Sequence, residues 1–168
     1  MSKPLKDKLL SLSSARYKHL LPTVDNFNKL GEDVLGTLLR VHLTSESILE
    51  ELIHLTFEDN AQSILKLKLT YKQKLELVAS LKIDDDWPLI PDYIVGSLRK
   101  LNKLRNDLAH QLNATLNNNQ VIELFMGKEQ IYGDMKKDDI HINLQRYAFF
   151  ILGNMLPKSE EIEEQKNV

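Results

Sequence analysis

The sequence predicts an all-α protein, and three observations carry that reading. Apolar residues recur at the helical interval of roughly 100° per residue, and no stretch alternates with period two for long enough to form a sheet. Gly (6) and Pro (5) are sparse in a chain rich in Leu and Lys. At 168 residues the chain can bury one sizeable core, so a single domain is expected over 1–157 with its core at about 30–155.

Taken in order, residues 3–21 carry apolar positions from Leu5 to Leu21 and are closed by Pro22, which predicts a helix or a broken pair of helices. Thr23 and Asp25 are candidate N-caps for the next helix. That helix is the longest periodic segment, Phe27 to Phe57, with Val34, Leu35, Leu38, Leu39, His42, Leu49, Leu52, Ile53 and Thr56 on the repeat. Residues 59–67 fit a short helix capped by Asp59 or Asn60, and Thr70 can cap another over 71–81 with Leu75, Leu77, Val78 and Leu81 inward. Asp84 to Pro88 reads as a loop. Pro91 and Asp92 open the central helix, Asn117 to Asn119 form a polar turn, and 121–135 fits either an irregular connection or a short hairpin. A last helix spans 138–156, with Pro157 ending it, and the acidic tail 158–168 is expected to fray.

Composition excludes several function classes. Apolar residues make up 42% and charged residues 27%, the balance of an ordinary globular protein. The formal net charge of −2 gives no global footprint for a polyanion, although nine Lys or Arg against five acids between Lys66 and Arg105 leave room for a local basic face. The absence of cysteine removes disulfides, thiolate metal sites and thiol nucleophiles, and fits a reducing compartment. No apolar run approaches the roughly 20 residues that span a bilayer, and the N-terminal run is too short and too charged for a signal peptide. A cytoplasmic protein without membrane association is expected. Glycine-rich phosphate loops, H-E-x-x-H and a serine elbow are all missing.

The chemistry is concentrated in Ile94 to Asn113. Ile94, Leu98, Leu101, Leu104, Leu108 and Leu112 form an apolar stripe, and Asn102, Asn106, His110 and Asn113 form a polar strip beside it. Arg105 lies at the apolar edge, where a guanidinium needs a buried acceptor or an anionic ligand. Glu46 falls in the apolar sector of the long preceding helix. It either snorkels to water from the rim or is the buried carboxylate that Arg105 needs. His42 and Glu46, four residues apart, could share a metal, but no third ligand is identifiable, so neither a metal nor a cofactor is expected. Arginine and histidine together can perform phosphoryl chemistry, the histidine moving a proton and the guanidinium binding developing charge. A single histidine serves as acid or base, so a second copy across a two-fold axis would complete the set. Against this stands a packing role, in which Asn106 and His110 satisfy buried groups and Arg105 locks two helices through Glu46; spacing alone favours it.

The hexamer R-N-D-L-A-H, Arg105 to His110, preceded by LNKL, resembles the R-x(4-6)-H signature of the HEPN superfamily. The resemblance takes in LTSESILEELI (Leu43 to Ile53) and the Thr70 to Leu81 segment, about residues 30–155. The same pattern is similar to relatives of the mannitol operon repressor, which points to a non-catalytic regulator or scaffold as the alternative. The HEPN resemblance implies a mostly antiparallel four-to-five-helix bundle that dimerises through the 94–113 helix. Many members are metal-independent endoribonucleases of toxin–antitoxin, phage-defence and CRISPR systems. Arg105 would hold the scissile phosphate and His110 would transfer the proton. Asn106 would orient one of them, and Glu46 would position Arg105. Arg99, Lys103 and Asn102 are the candidate substrate contacts, RNA the implied ligand, and an antitoxin or other protein the implied partner. Leu112 stands where the nucleotidylated toxin branch has tyrosine, which puts that mode of control in doubt.

Overall fold

The computed structural model describes residues 34–84, 87–110 and 115–155. The expected N-terminal arm (3–21), the caps Thr23 and Asp25, residues 27–33, Leu112, Asn113 and the tail 158–168 lie outside them.

The described chain is all-α apart from one minimal ladder. Its elements are α1 (Val34–Phe57), a 3-10 turn (Glu58–Asn60), α2 (Ala61–Leu65), α3 (Tyr71–Ala79), β1 (Lys82–Asp84), β2 (Trp87–Pro88), α4 (Asp92–Ala109), α5 (Asn118–Glu123), a second 3-10 turn (Glu129–Tyr132) and α6 (Ile140–Met155). The long helix α1 is the hub and packs against α3, α4 and α6, while α3 also packs on α4 and α5 on α6. Leu38, Ile48, Leu49, Leu52 and Ile53 of α1 meet Leu75 and Val78 of α3, Ile94, Leu98 and Leu101 of α4, and Leu144, Tyr147 and Ile151 of α6 in one buried core. Full burial of each such side chain contributes about 1.5–3 kcal/mol.

Local chemistry sets the helix starts. Thr70 has extended backbone (φ −67°, ψ 160°), its hydroxyl accepts from Gln73 N–H, and the Gln73 side chain accepts from Thr70 N–H. This reciprocal box satisfies two donors at the start of α3. Asn117 and Gln120 repeat it at α5, so the expected polar turn is the cap of a helix. The hairpin alternative for 121–135 is excluded, because the segment consists of α5, turns and a 3-10 turn.

Other expectations are corrected by the tertiary context. The 59–67 helix is reduced to α2, Asp59 and Asn60 sit in the 3-10 turn, and Asn60 makes no side-chain cap. Asp84 and Trp87, expected in a loop, pair across the β1–β2 ladder. Helix α4 stops at Ala109 with His110 as its C-cap, short of the expected Asn113. Leu35 and Leu39, expected inward, are 37% and 42% exposed, because the neighbours of α1 cover a sector that buries Thr37, Thr44 and Ser45 instead, while His42 is buried as expected. No helix among the described residues is long and apolar enough to cross a membrane.

Candidate functional site

The packing of α3 on α4 leaves a groove of about 530 Å³ between them, lined by Lys72, Leu75 and Glu76 from α3 and by Arg99, Asn102, Lys103, Asn106 and Asp107 from α4. The α4 residues recur at steps of three and four, so they form one helical face, and this face contains the first half of the polar strip. All three expected substrate contacts, Arg99, Lys103 and Asn102, line the groove together with Asn106. Arg105, His110 and Glu46 do not.

Arg99 is engaged within the protein. Its Nε and Nη2 donate to Glu76 Oε1 and Oε2 at 2.8 and 2.6 Å, a two-pronged bridge from α4 to α3. The bridge holds the Glu76 carboxyl below its ordinary range and the guanidinium above its own. Lys72 and Lys103 are exposed and make no ion pair among the described residues.

Behind the groove lies a buried polar layer that begins with His42, which is 4% exposed. Its ring stacks on Tyr71 with centroids 4.1 Å apart, and its Nε2 lies 3.1 Å from Asn102 Oδ1. Burial pushes the imidazole below its ordinary value and the nearby Arg105 charge adds to that, while the Asn102 hydrogen bond and Glu46 act in the opposite direction. Ser45 Oγ donates to His42 O at 2.7 Å and lies 2.9 Å from Tyr71 Oη. A serine hydroxyl has one proton, so Tyr71 must donate to Ser45. Burial raises the Tyr71 phenol well above its usual value.

The expected Arg105–Glu46 pair is not formed. Glu46 Oε1 accepts from Lys74 Nζ at 2.7 Å, and the same ammonium also meets Glu50. Lys74 reaches both because α3 packs on α1, and two carboxylates one turn apart offer it more than Glu46 alone offers Arg105. Arg105 is half-buried, its Nη1 donates to Asn106 Oδ1 at 2.9 Å, and its Nε is buried without a partner. Its guanidinium makes no ion pair among the described residues. His110 is exposed at the end of α4, and its side chain has no hydrogen-bond partner among the described residues. The packing role for His110, satisfying a buried group, is therefore not what the described residues display.

Sequence reasoning gives no site role to Lys72, Lys74 or Tyr71, and it places His42 on the inward repeat of the long helix and as a metal candidate without seeing its bond to Asn102. The i, i+4 spacing of Glu46 and Glu50 was the one local sign that a cation would sit over α1. Among the described residues no group of three or more His, Asp or Glu could hold a metal ion. Chemically, the site presents hydrogen-bond donors and cations to one groove, with an exposed imidazole at the end of the same helix. No protein-family model matches the chain, and neither a curated protein nor a solved structure is significantly similar to it.

Proposed function

We propose that this chain is a metal-independent endoribonuclease of the HEPN type, acting as a homodimer through the 94–113 helix in a toxin–antitoxin or phage-defence setting. One observation carries the reading: Arg105 is committed to no carboxylate among the described residues, and its one side-chain partner there, Asn106, lines a groove rich in donors. A half-buried guanidinium with an unpartnered Nε has an unmet need for an anion, which a phosphate satisfies.

In the proposed reaction the ribose 2′-oxygen attacks the adjacent phosphorus as its proton passes to a histidine. The bond from phosphorus to the 5′-oxygen breaks, and a protonated histidine delivers a proton to that leaving oxygen. The products are a 2′,3′-cyclic phosphate and a 5′-hydroxyl. His110 of one protomer supplies the base and His110 of its partner the acid, while Arg105 binds the charge on the phosphorane. The test is cleavage of a labelled RNA in excess chelator. The wild type should cut it, and His110→Ala should lose at least about 100-fold with unchanged thermal stability and oligomeric state. Absence of cutting by the wild type, or undiminished cutting by the variant, refutes the reading.

A second reading, a non-catalytic scaffold similar to relatives of the mannitol operon repressor, is favoured by Leu35, Leu39 and Leu43. These leucines fall at four-residue steps along α1 and are 37%, 42% and 61% exposed, an apolar stripe of the kind that marks protein contacts. A wild type that cuts no RNA but binds a protein partner through these leucines would establish it.

A further inference from the structure

Asn102 and Asn106 lie one turn apart on α4, both line the groove, and the oxygen of each carboxamide is already occupied by the protein. Asn106 Oδ1 receives Arg105 Nη1 at 2.9 Å. A guanidinium has only donors, so this amide cannot be turned the other way. Asn102 Oδ1 faces His42 Nε2 at 3.1 Å, and the histidine ring is fixed by burial and by its stacking on Tyr71. With Nε2–H donating, the NH2 group of Asn102 is left for the groove. Neither Asn102 Nδ2 nor Asn106 Nδ2 has a hydrogen-bond partner among the described residues.

The charges around these amides have the same bias. Lys72 stands on the α3 wall and Lys103 on the α4 wall, both outside any ion pair among the described residues. Of the two carboxylates, Glu76 is held by Arg99, which leaves Asp107 as the one acid without a cation bridged to it. A groove of about 530 Å³ falls within the range of roughly 300–1,000 Å³ typical of small-ligand sites. Its wall offers donors and positive charge with few acceptors, so it selects an anionic ligand rich in acceptors.

We propose that the α3–α4 groove is a phosphodiester-binding site, in which the Asn102 and Asn106 amides donate to non-bridging phosphate oxygens and Lys72 and Lys103 supply charge from opposite walls. His42 is its positioning residue and holds Asn102 with its donor outward. The choice of RNA as the source of the phosphodiester rests on the reading above, while the donor wall does not.

The probe is a fluorescently labelled ten-nucleotide oligouridylate, followed by anisotropy at low salt, with inorganic phosphate as competitor. Asn102→Asp and Asn106→Asp keep the shape and replace the donor with an acceptor, and each should raise Kd roughly tenfold or more. Lys72→Ala and Lys103→Ala should each lower the slope of log K against log salt by about one. His42→Leu should weaken binding and shift the Asn102 side-chain NH2 resonance, and His42→Gln, whose amide donates from the place of Nε2, should recover most of the loss. Oligouridylate that fails to bind, or that binds both Asp variants as it binds the wild type, overturns the proposal. So does inorganic phosphate that competes equally, phosphate for phosphate, because the site would then belong to a single phosphate. The two Asp variants lie on half-buried positions, so the test survives even if His42→Leu does not fold. Binding with these effects in a chain that cuts no RNA removes the nuclease reading and keeps this one. RNA cleavage with oligouridylate affinity untouched in both Asp variants does the reverse.

Discussion

Lys74 Nζ donates to Glu46 Oε1 at 2.7 Å, and the same ammonium meets Glu50 one turn further along α1. Burial opposes the Lys74 charge, but its hydrogen bonds to the two carboxylates outweigh it and hold the ammonium above its ordinary value of 10.5. The bridge fastens α3 to α1 at the back of the groove and takes Glu46 away from Arg105. Much of the electrostatic character of the site follows from that one choice of partner.

Removal of Lys74 should therefore cost stability. Lys74→Met leaves Glu46 and Glu50 four residues apart with no cation between them, a like-charge pair on one helix face. The expected loss is about 1–3 kcal/mol in urea denaturation. Adding Glu46→Gln and Glu50→Gln should restore most of it. Because the folded ammonium is held above 10.5, its contribution is fully present below that pH and is lost only as pH rises through the folded value. The Lys74 effect should thus be flat from pH 6 to 9, and a steep dependence there would contradict the bridge.

Arg105 should behave in the opposite way. Its guanidinium makes one side-chain hydrogen bond, to Asn106, and no ion pair among the described residues. Arg105→Met should change stability by less than about 1 kcal/mol, whereas breaking a buried pair costs about 3–5 kcal/mol. A double-mutant cycle with Glu46→Gln should give a coupling near zero. Coupling above about 1 kcal/mol would show that the two side chains are partners after all.

His42 sets an acid limit on the fold. Its pKa lies below the ordinary 6.5, chiefly because it is buried. The unfolded chain takes up a proton near pH 6.5 while the folded chain resists, so stability falls as pH drops from 6.5 towards the folded value and levels off below it. Arg105 and Glu46 face the ring with opposite effects. His42→Gln removes the titrating group. Urea midpoints at pH 8 and pH 5.5 should fall further for the wild type than for the variant, and equal falls would mean that the ring charges freely in the folded state.

These contrasts mark where the sequence could be read. Thr70 marks the start of α3 in the sequence because a threonine ahead of an apolar-periodic run is a local N-cap signal, while the reciprocal bond from Gln73 is seen only in the structure. Ile94, Leu98 and Leu101 announced the buried stripe of α4 because one helix face repeats locally. The partner of Glu46 was not legible, since Lys74 and Arg105 carry the same charge and only the packing of α3 on α1 decides between them. The end of α4 was overrun because the leucine repeat continues to Leu112 while the backbone turns at His110. Asn102 and Asn106 stand out in the sequence on one polar strip and Lys103 as a candidate contact, but the outward turn of the Asn102 amide does not, because it depends on His42, sixty positions away.

Asn143 tests how the irregular chain between α5 and α6 is held. The residue is fully buried, and its Nδ2 donates to Met135 O at 2.8 Å and to Asn118 Oδ1 at 2.7 Å, while its Oδ1 accepts from Arg146 Nη1 at 3.1 Å. Asn118 Nδ2 also donates to Met135 O and Asp138 O, so the two asparagines, one on α5 and one on α6, together pin the C-terminal end of the segment. Few other polar contacts fasten the stretch from Met126 to Lys137, which is mostly exposed. Asn143→Leu keeps the branched outline but strands the Asn118 oxygen and removes the brace on Arg146, at about 1–3 kcal/mol. The loss should be local as well as global. Hydrogen exchange between Met126 and Lys137 should accelerate more than in α1 or α4, because the segment opens as its own unit once the pin is gone. Uniform acceleration along the chain would mean that Asn143 stabilises the core as a whole and leaves the segment fastened by something else.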